Sequence, residues 1–463
     1  MIPALPFRAA TVWIAIAAAL WLALLAPGGL DSAQARTAGA VLVTLVIWST
    51  GVLPPFLAGL IFFALVLIAG LAAPDLVFSG FGSAAVWLIV SGSVIGSAIG
   101  TSGLGKRFAG FLAPLLAGSY ARLLSGLTLA GMALAFVMPS SIGRAVVLVP
   151  IGMALAEQAG FAKGSNGRIG IAVALTAACN MPGFAVLPSN IPNMILAGAA
   201  ETIHDVGFGY TQYLALHYPV LAILKSVTAV GLTLLLFPDR VRELPAAIAA
   251  EADFTIDRAL QRRVMAILAA TLAMWMTDSL HGINPAWIGI AAAVVLLLPG
   301  VGAVEPKSFN ASVDFGMVLF VAAALALGAL VNATGLGAML GEELKRVLPL
   351  APGHDLVNFV SLSVMAVATG LVTTVAGVPT VLTPMAAGLA ESSGFTVPAV
   401  LMTQVIGFST AVFPYQVGPL IVAMQLSGEK LGNILRLTIP LSILTLVVLV
   451  PVDFLWWKLL GWI

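Results

Sequence analysis

Between Met138 and Phe161 the chain reads MPSSIGRAVVLVPIGMALAEQAGF, and Arg144 puts a permanent charge into an otherwise apolar stretch. An arginine at bilayer depth costs about 2.5–3.5 kcal/mol on insertion scales, so it normally faces a partner or a wet cavity. Its planar fork of donors matches the oxygens of a carboxylate or a sulfate. Ser140, Ser141 and Gly143 flank it. A second polar element inside an apolar run, TTVAGVPT, holds Thr373, Thr374, Gly377 and Thr380. Two proline-rich interruptions complete the set. MPGFAVLPSNIPN carries Ser189, Asn190, Pro192 and Asn193, and GFSTAVFPYQVGP carries Pro414 and Gln416. Together these groups suit the binding of a small anion. The competing expectation is structural, with Arg144 paired to Asp314 or extended towards the cytoplasm.

The elements that hold these residues follow from composition. The chain has 463 residues, 60% hydrophobic and 8% charged, whereas soluble domains carry roughly 25% charged residues. Apolar runs such as Ala10–Pro27, Pro55–Ala73, Ile288–Val304 and Phe315–Val331 approach the roughly 20 residues that a helix needs to cross a bilayer. Alternating apolar–polar segments, the mark of a membrane β-barrel, are absent. The expected fold is an all-α integral membrane protein with about 11 transmembrane helices and two re-entrant hairpins. The net charge of +1 points away from nucleic acid, and the single cysteine, Cys179, excludes an intrachain disulfide. The first apolar run is too long for a signal-peptide core and reads as a retained helix.

Proline removes a backbone donor and clashes with the preceding turn. The freed carbonyls must face protein or water, because lipid cannot satisfy them. Interrupted helices at matching places in two halves are the sequence sign of a transporter's binding site. Leu123–Ala156 and Phe359–Ala390 are apolar on both sides of their polar tips, and arms of about 15 residues or fewer suit half-crossings.

The halves also match in order. Ile99–Gly110 faces Val331–Glu342, Val149–Phe161 faces Thr383–Phe395, and Ala185–Ile195 faces Ala411–Ile421. Trp48 and Pro55 face Trp275 and Pro285. This pattern predicts an N-terminal helix over 1–36 and a first repeat over 37–238, with a hairpin near 121–158 and a broken helix near 169–200. A linker over 239–259 follows. The second repeat spans 260–463, with a hairpin near 356–392 and a broken helix near 398–428. With the amino terminus in the cytoplasm, most of the 20 basic residues fall on that side, and Arg36, Lys345, Arg346 and Lys458 fall on the other. Five crossings per repeat then invert the second repeat relative to the first.

This order of hairpins, broken helices and linker resembles the divalent anion/sodium symporter family, which moves dicarboxylates, citrate or sulfate. The resemblance covers nearly the whole chain in layout. In that family the hairpin tips read Ser-Asn-Thr and the broken helices carry Pro-Pro-Asn. Here Ser140, Ser141 and Ile142 stand at the first tip, with Arg144 on a later threonine position; Thr374, Val375 and Ala376 stand at the second. Ile191-Pro192-Asn193 matches in part, whereas Val417, Gly418 and Pro419 depart. The resemblance implies sodium near Ser140, Ser141 and Asn193, a small anionic substrate, alternating access, an inner-membrane location and a homodimer in membrane lipid. Arg144 also suggests a different arrangement, in which its fixed charge replaces a sodium ion and transport proceeds by exchange or without sodium. Proton coupling is a further option, and no organic cofactor is implied. Arsenite and citrate–metal carriers share a similar plan, so the substrate stays open.

Other residues carry narrower expectations. Lys225 lies mid-span with His217 two turns earlier; it is expected to extend to the surface or cap a helix contact, the alternative being a proton-coupling group. Glu157 and Glu391 read as interfacial, Asp278 and His281 as a solvated loop, and Asn332 and Thr334 as helix-stitching groups. Trp13, Trp21, Trp456 and Trp457 read as interfacial anchors. No phosphate-binding Gly-Lys-Ser/Thr loop occurs, which argues against ATP-driven transport. No Ser/His or Asp/Asp pair supports an intramembrane enzyme, and no continuous polar stripe supports a channel.

Overall fold

A chain that crosses lipid must satisfy its backbone internally, and here it does so with helices. The computed structural model describes residues 4–104, 118–241 and 257–463, and no strand occurs among them. Lys106, Arg107 and most of the linker expected over 239–259 lie outside the described residues. The main helices are α1 (Ala4–Leu25), α2 (Ser32–Thr50), α3 (Pro55–Ile68), α4 (Ala84–Ser102), α5 (Tyr120–Val137) and α6 (Ser141–Gln158). They continue as α7 (Asn166–Asn180), α8 (Ile191–His204), α9 (Tyr210–Leu236), α10 (Arg258–Met276), α11 (Pro285–Leu297) and α12 (Phe315–Ala333). The last six are α13 (Leu336–Val347), α14 (Asp355–Val372), α15 (Gly377–Ser393), α16 (Val397–Ser409), α17 (Gly418–Ser427) and α18 (Leu431–Leu459). Among the described residues 8 helices are long and apolar enough to cross a membrane, or up to 9 when the bent pair α15–α16 counts as one span.

Helix starts follow the local sequence. Asp31 forms a capping box with Gln34, and Ser119, Ser140, Ser165 and Thr396 each accept a backbone N–H of the turn they open. Small residues bring helices together where no hydrophobic drive separates protein from lipid. Gly131 of α5 lies so close to Ala178 of α7 that a Cβ would stand 2.6 Å from its carbonyl oxygen. The paired tryptophans behave alike: Trp48 Nε1 donates to the Pro55 carbonyl at 3.0 Å, and Trp275 Nε1 donates to the Pro285 carbonyl at 3.0 Å.

The chain departs from regular helix where the prolines predicted it. After α7, two 3-10 turns (Met181–Ala185 and Leu187–Ser189) precede α8. After α16, an extended step and a 3-10 turn (Pro414–Gln416) precede α17. Helices α15 and α16 meet at 117° across Gly394, which adopts a left-handed conformation with φ 75. The arms around the first tip are longer than expected, at 18 residues each in α5 and α6, because α6 runs on through Pro150 without breaking. Helix α8 packs against α15, and α17 packs against α6 and α7, so each half-helix lies across an element of the other half.

Several sequence expectations are corrected. Asp278 is not solvated: it is buried, and its carboxylate accepts the backbone N–H groups of Tyr210 and Thr211 at the start of α9. Trp457 is fully buried against His217 and Phe359 and is no interfacial anchor, while Trp13 is 70% exposed. Glu391 is exposed and pairs with Lys345, which also pairs with Glu342. The hydrogen bond with Glu342 holds the Lys345 ammonium above its ordinary value.

Candidate functional site

Arg144 sits in the first turns of α6, and none of its surface reaches solvent. Its Nε donates to the Cys179 carbonyl at 2.7 Å. Its Nη1 donates to the Met138 carbonyl at 2.6 Å and to Ser189 Oγ at 2.6 Å, with the Ser189 carbonyl at 3.4 Å. Its Nη2 donates to Ser141 Oγ at 2.8 Å. The guanidinium therefore caps the carbonyl ends of α5 and α7, where helix dipoles leave partial negative charge. Asp314 is not its partner, since that carboxylate accepts the Met317 N–H at the start of α12. Nor does the side chain extend towards a surface.

The positive ends of two other helices meet beside it. Ser141 opens α6 and Asn190 stands at the N-terminal boundary of α8, and the Ser141 hydroxyl donates to Asn190 Oδ1. Asn190 Nδ2 donates to the Asn180 carbonyl at 3.2 Å. Asn193 Nδ2 donates to the carbonyls of Gly183 and Val186, both at 2.9 Å, and holds the break in shape; its Oδ1 has no hydrogen-bond partner. Pro192 lies in the first turn of α8. Ser140 is exposed and caps α6 by accepting the Gly143 N–H at 3.1 Å.

The residues from the second half form a separate cluster. The Thr373 hydroxyl donates to the Thr369 carbonyl at 2.7 Å, Thr380 to the Ala376 carbonyl at 3.2 Å, and Thr374 Oγ1 accepts the Gly377 N–H at 3.3 Å. Pro414 opens the 3-10 turn. Gln416 Oε1 accepts the Val412 and Phe413 N–H groups, and its carbonyl accepts the Val375 N–H at 3.3 Å. The second tip thus touches the second break as the first tip touches the first. The clusters approach through Phe184 and Phe408, whose rings lie 5.8 Å apart, and through His204, whose Nε2 lies 2.7 Å from the Thr383 carbonyl.

Three polar residues were missed in the sequence. Asn180 ends α7 with both amide atoms buried and without hydrogen-bond partners. Thr383 donates to Gln404 Oε1 at 3.3 Å, and Gln404 Nε2 has no partner. The usable signal was position, since Asn180 directly precedes the first break and Thr383 directly precedes the repeated Pro384.

Lys225 also needs restating. It is 2% exposed, so it does not extend to the surface. Its Nζ donates to the Ser409 carbonyl at 2.8 Å and to Thr410 Oγ1 at 3.3 Å, at the end of α16.

Helices broken at depth, with irregular backbone sealed inside protein and a cation among their ends, define a multi-pass membrane protein of the secondary-transporter type. The fold of the Alcanivorax borkumensis YdaH transporter is similar, with a TM-score of 0.56 and 19% identity over 84% of this chain and 88% of that one. A Cupriavidus necator chain described as a membrane protein is 24% identical, covering 96% of this chain and 91% of that one. Residues 7–463 match the sodium:sulfate symporter transmembrane region, and the chain belongs to that family. It is a membrane transporter of the anion class.

Proposed function

We propose that this chain moves small anions, either di- or tricarboxylates or sulfate, by alternating access, with Arg144 as a built-in cation where a sodium ion would otherwise sit. The observation that carries this reading is the oxygen shell of the guanidinium: carbonyls of Met138, Cys179 and Ser189 and hydroxyls of Ser141 and Ser189. Carbonyls at unwound and C-terminal helix ends are the groups that hold coupling cations in such carriers. An arginine that already occupies them leaves little for sodium. The adjoining N-terminal ends of α6 and α8 add the positive pole that an anion requires. Asn180, whose Nδ2 donor is buried and without a partner, is the side chain best suited to meet it.

The architecture that goes with this reading has two inverted repeats over 37–238 and 260–463, joined by a cytoplasmic linker, with re-entrant hairpins bearing the tips. The recurring tryptophan–proline hydrogen bond supports the duplication. The protein works as a homodimer in the inner membrane with its amino terminus in the cytoplasm. Counterflow of labelled sulfate, citrate and dicarboxylates in proteoliposomes tests the proposal. Exchange is expected in sodium-free medium and is expected to be lost in Arg144→Gln. A strict need for sodium in the wild type, or unchanged rate and affinity in Arg144→Gln, overturns it.

A further inference from the structure

Arg144 and Lys225 hold equivalent posts. One caps the end of α7 before the first break, and the other caps the end of α16 before the second. They differ in chemistry. A guanidinium does not give up its proton in proteins, whereas a desolvated ammonium can.

The surroundings of Lys225 are those of a group that changes charge. Its ammonium has three donors, and two directed contacts, the Ser409 carbonyl and Thr410 Oγ1, engage it. Asp453 of α18 is also fully buried and forms no ion pair with Lys225 among the described residues. The Asp453 carboxyl faces the Trp457 indole, and neither carboxyl oxygen reaches full hydrogen-bond geometry. The Trp457 ring in turn lies 5.8 Å from the ring of His217, whose Nε2 is 3.2 Å from Met402 Sδ and whose Nδ1 has no partner. A buried lysine and a buried carboxyl not locked together can hold different numbers of protons in different states.

The other titratable and charged groups on the elements packed around α9 begin with those at its start: Asp278 accepts the Tyr210 and Thr211 N–H groups, His281 Nε2 lies 2.9 Å from the Met274 carbonyl, and Arg258, Arg262 and Arg263 of α10 are exposed. Arg436 of α18 donates to the Leu236 carbonyl and stacks on Phe237. Lys458 pairs with Asp355, and Arg168 of α7 pairs with Glu429. Cys179 lies by Arg144. Tyr120 of α5 stacks edge-on against Phe161, and Arg122 shares that helix's first turn. On α9 itself, Tyr210 stacks on Trp275, Tyr213 donates to the Phe184 carbonyl, and Tyr218 packs on Phe136.

We infer that Lys225 is the proton-carrying cation of the second half, so that anion movement is coupled to one proton loaded on Lys225 Nζ. This rests on the transport reading above. In the cycle, Nζ takes a proton from water on the face where the anion enters, and the ammonium caps α16 in the loaded state. On the other face the N–H bond breaks, the proton passes to water and the anion leaves, so the carrier returns with Nζ neutral. One positive charge crosses with each anion by this route.

The experiment uses the full chain in proteoliposomes, in sodium-free choline medium, with the membrane potential clamped at zero. The probes are sulfate and fumarate, which stay dianions near neutral pH. With the outside about one pH unit more acidic, one proton per anion supports roughly tenfold accumulation. Lys225→Arg keeps the charge but cannot release it, so accumulation is expected to fall to about onefold while counterflow stays measurable. Asp453→Asn is expected to shift the pH profile of net uptake. Wild-type uptake indifferent to the gradient, with counterflow intact, overturns this inference alone. So does gradient-driven accumulation retained in Lys225→Arg. Absence of counterflow with every anion overturns the transport reading itself, and this inference falls with it.

Discussion

Gly183 provides a sharp test of the Arg144 shell because it adds a methyl without removing any partner. A Cβ built there would fall 2.8 Å from Ser189 Oγ and 3.0 Å from Asn190 Nδ2, and closer still to Arg144 Nη2. The backbone itself does not require glycine, since Gly183 is not among the residues with positive φ. The penalty of Gly183→Ala is therefore steric and falls on the guanidinium. The side chain is held at 2.6–2.8 Å by four oxygens on four elements, so it cannot move without stretching several contacts together. Overpacking of a tight interior typically costs about 1–3 kcal/mol, which corresponds to a factor of roughly 5 to 150. If the shell must be intact for the anion to bind, the cost appears as a loss of affinity in counterflow of that order, alongside a lower melting temperature of the purified protein. The refuting result is a Gly183→Ala carrier with unchanged apparent affinity and unchanged melting temperature. That outcome would mean the guanidinium is loosely held and does not shape the anion seat.

Three further expectations follow from the same geometry. Asn180→Ala removes amide atoms that have no partner in the protein, so melting should change little. A lost hydrogen bond to a charged anion, worth about 1.5–3 kcal/mol, should raise the half-saturation concentration roughly 10- to 150-fold in uptake assays. Trp48→Phe and Trp275→Phe each strip one hydrogen bond from a proline carbonyl, and denaturation should report similar losses of about 1 kcal/mol for both; a large inequality would weaken the duplicated-unit reading. Asp278→Asn takes the negative charge from the start of α9 while keeping an acceptor, and Asp278→Ala takes both. Thermal denaturation should rank wild type above Asn and Asn above Ala, with the Ala variant down by about 1–2 kcal/mol.

The positions of the breaks were legible because proline fixes them chemically: Pro182, Pro188 and Pro192 interrupt the first span, and Pro414 and Pro419 interrupt the second. That Arg144 would need partners was legible for a similar reason, since a charge in an apolar run has to be placed. Its partners were not legible, because four of its five contacts are to groups from outside its own helix and two of those partners, Cys179 and Ser189, are more than thirty residues away. For Lys225 the helix-capping expectation holds and the surface one does not, and choosing between them needed the same tertiary information. A lysine near a helix end and a lysine sealed against a distant carbonyl have the same local sequence. Asp278 sits in a short polar loop that reads as wet, and only the arrival of α9 above it converts it into a buried cap.

The crossing of half-helices between the two halves has a consequence for how the protein is made. Helix α17 supplies a wall for α6 and α7, yet it begins at Gly418, when nine-tenths of the chain has already left the ribosome. Until then α6 and α7 lack part of their packing, so the early segments must wait in the membrane with that face uncovered. Truncation near the carboxyl terminus should therefore disable residues that were synthesised first.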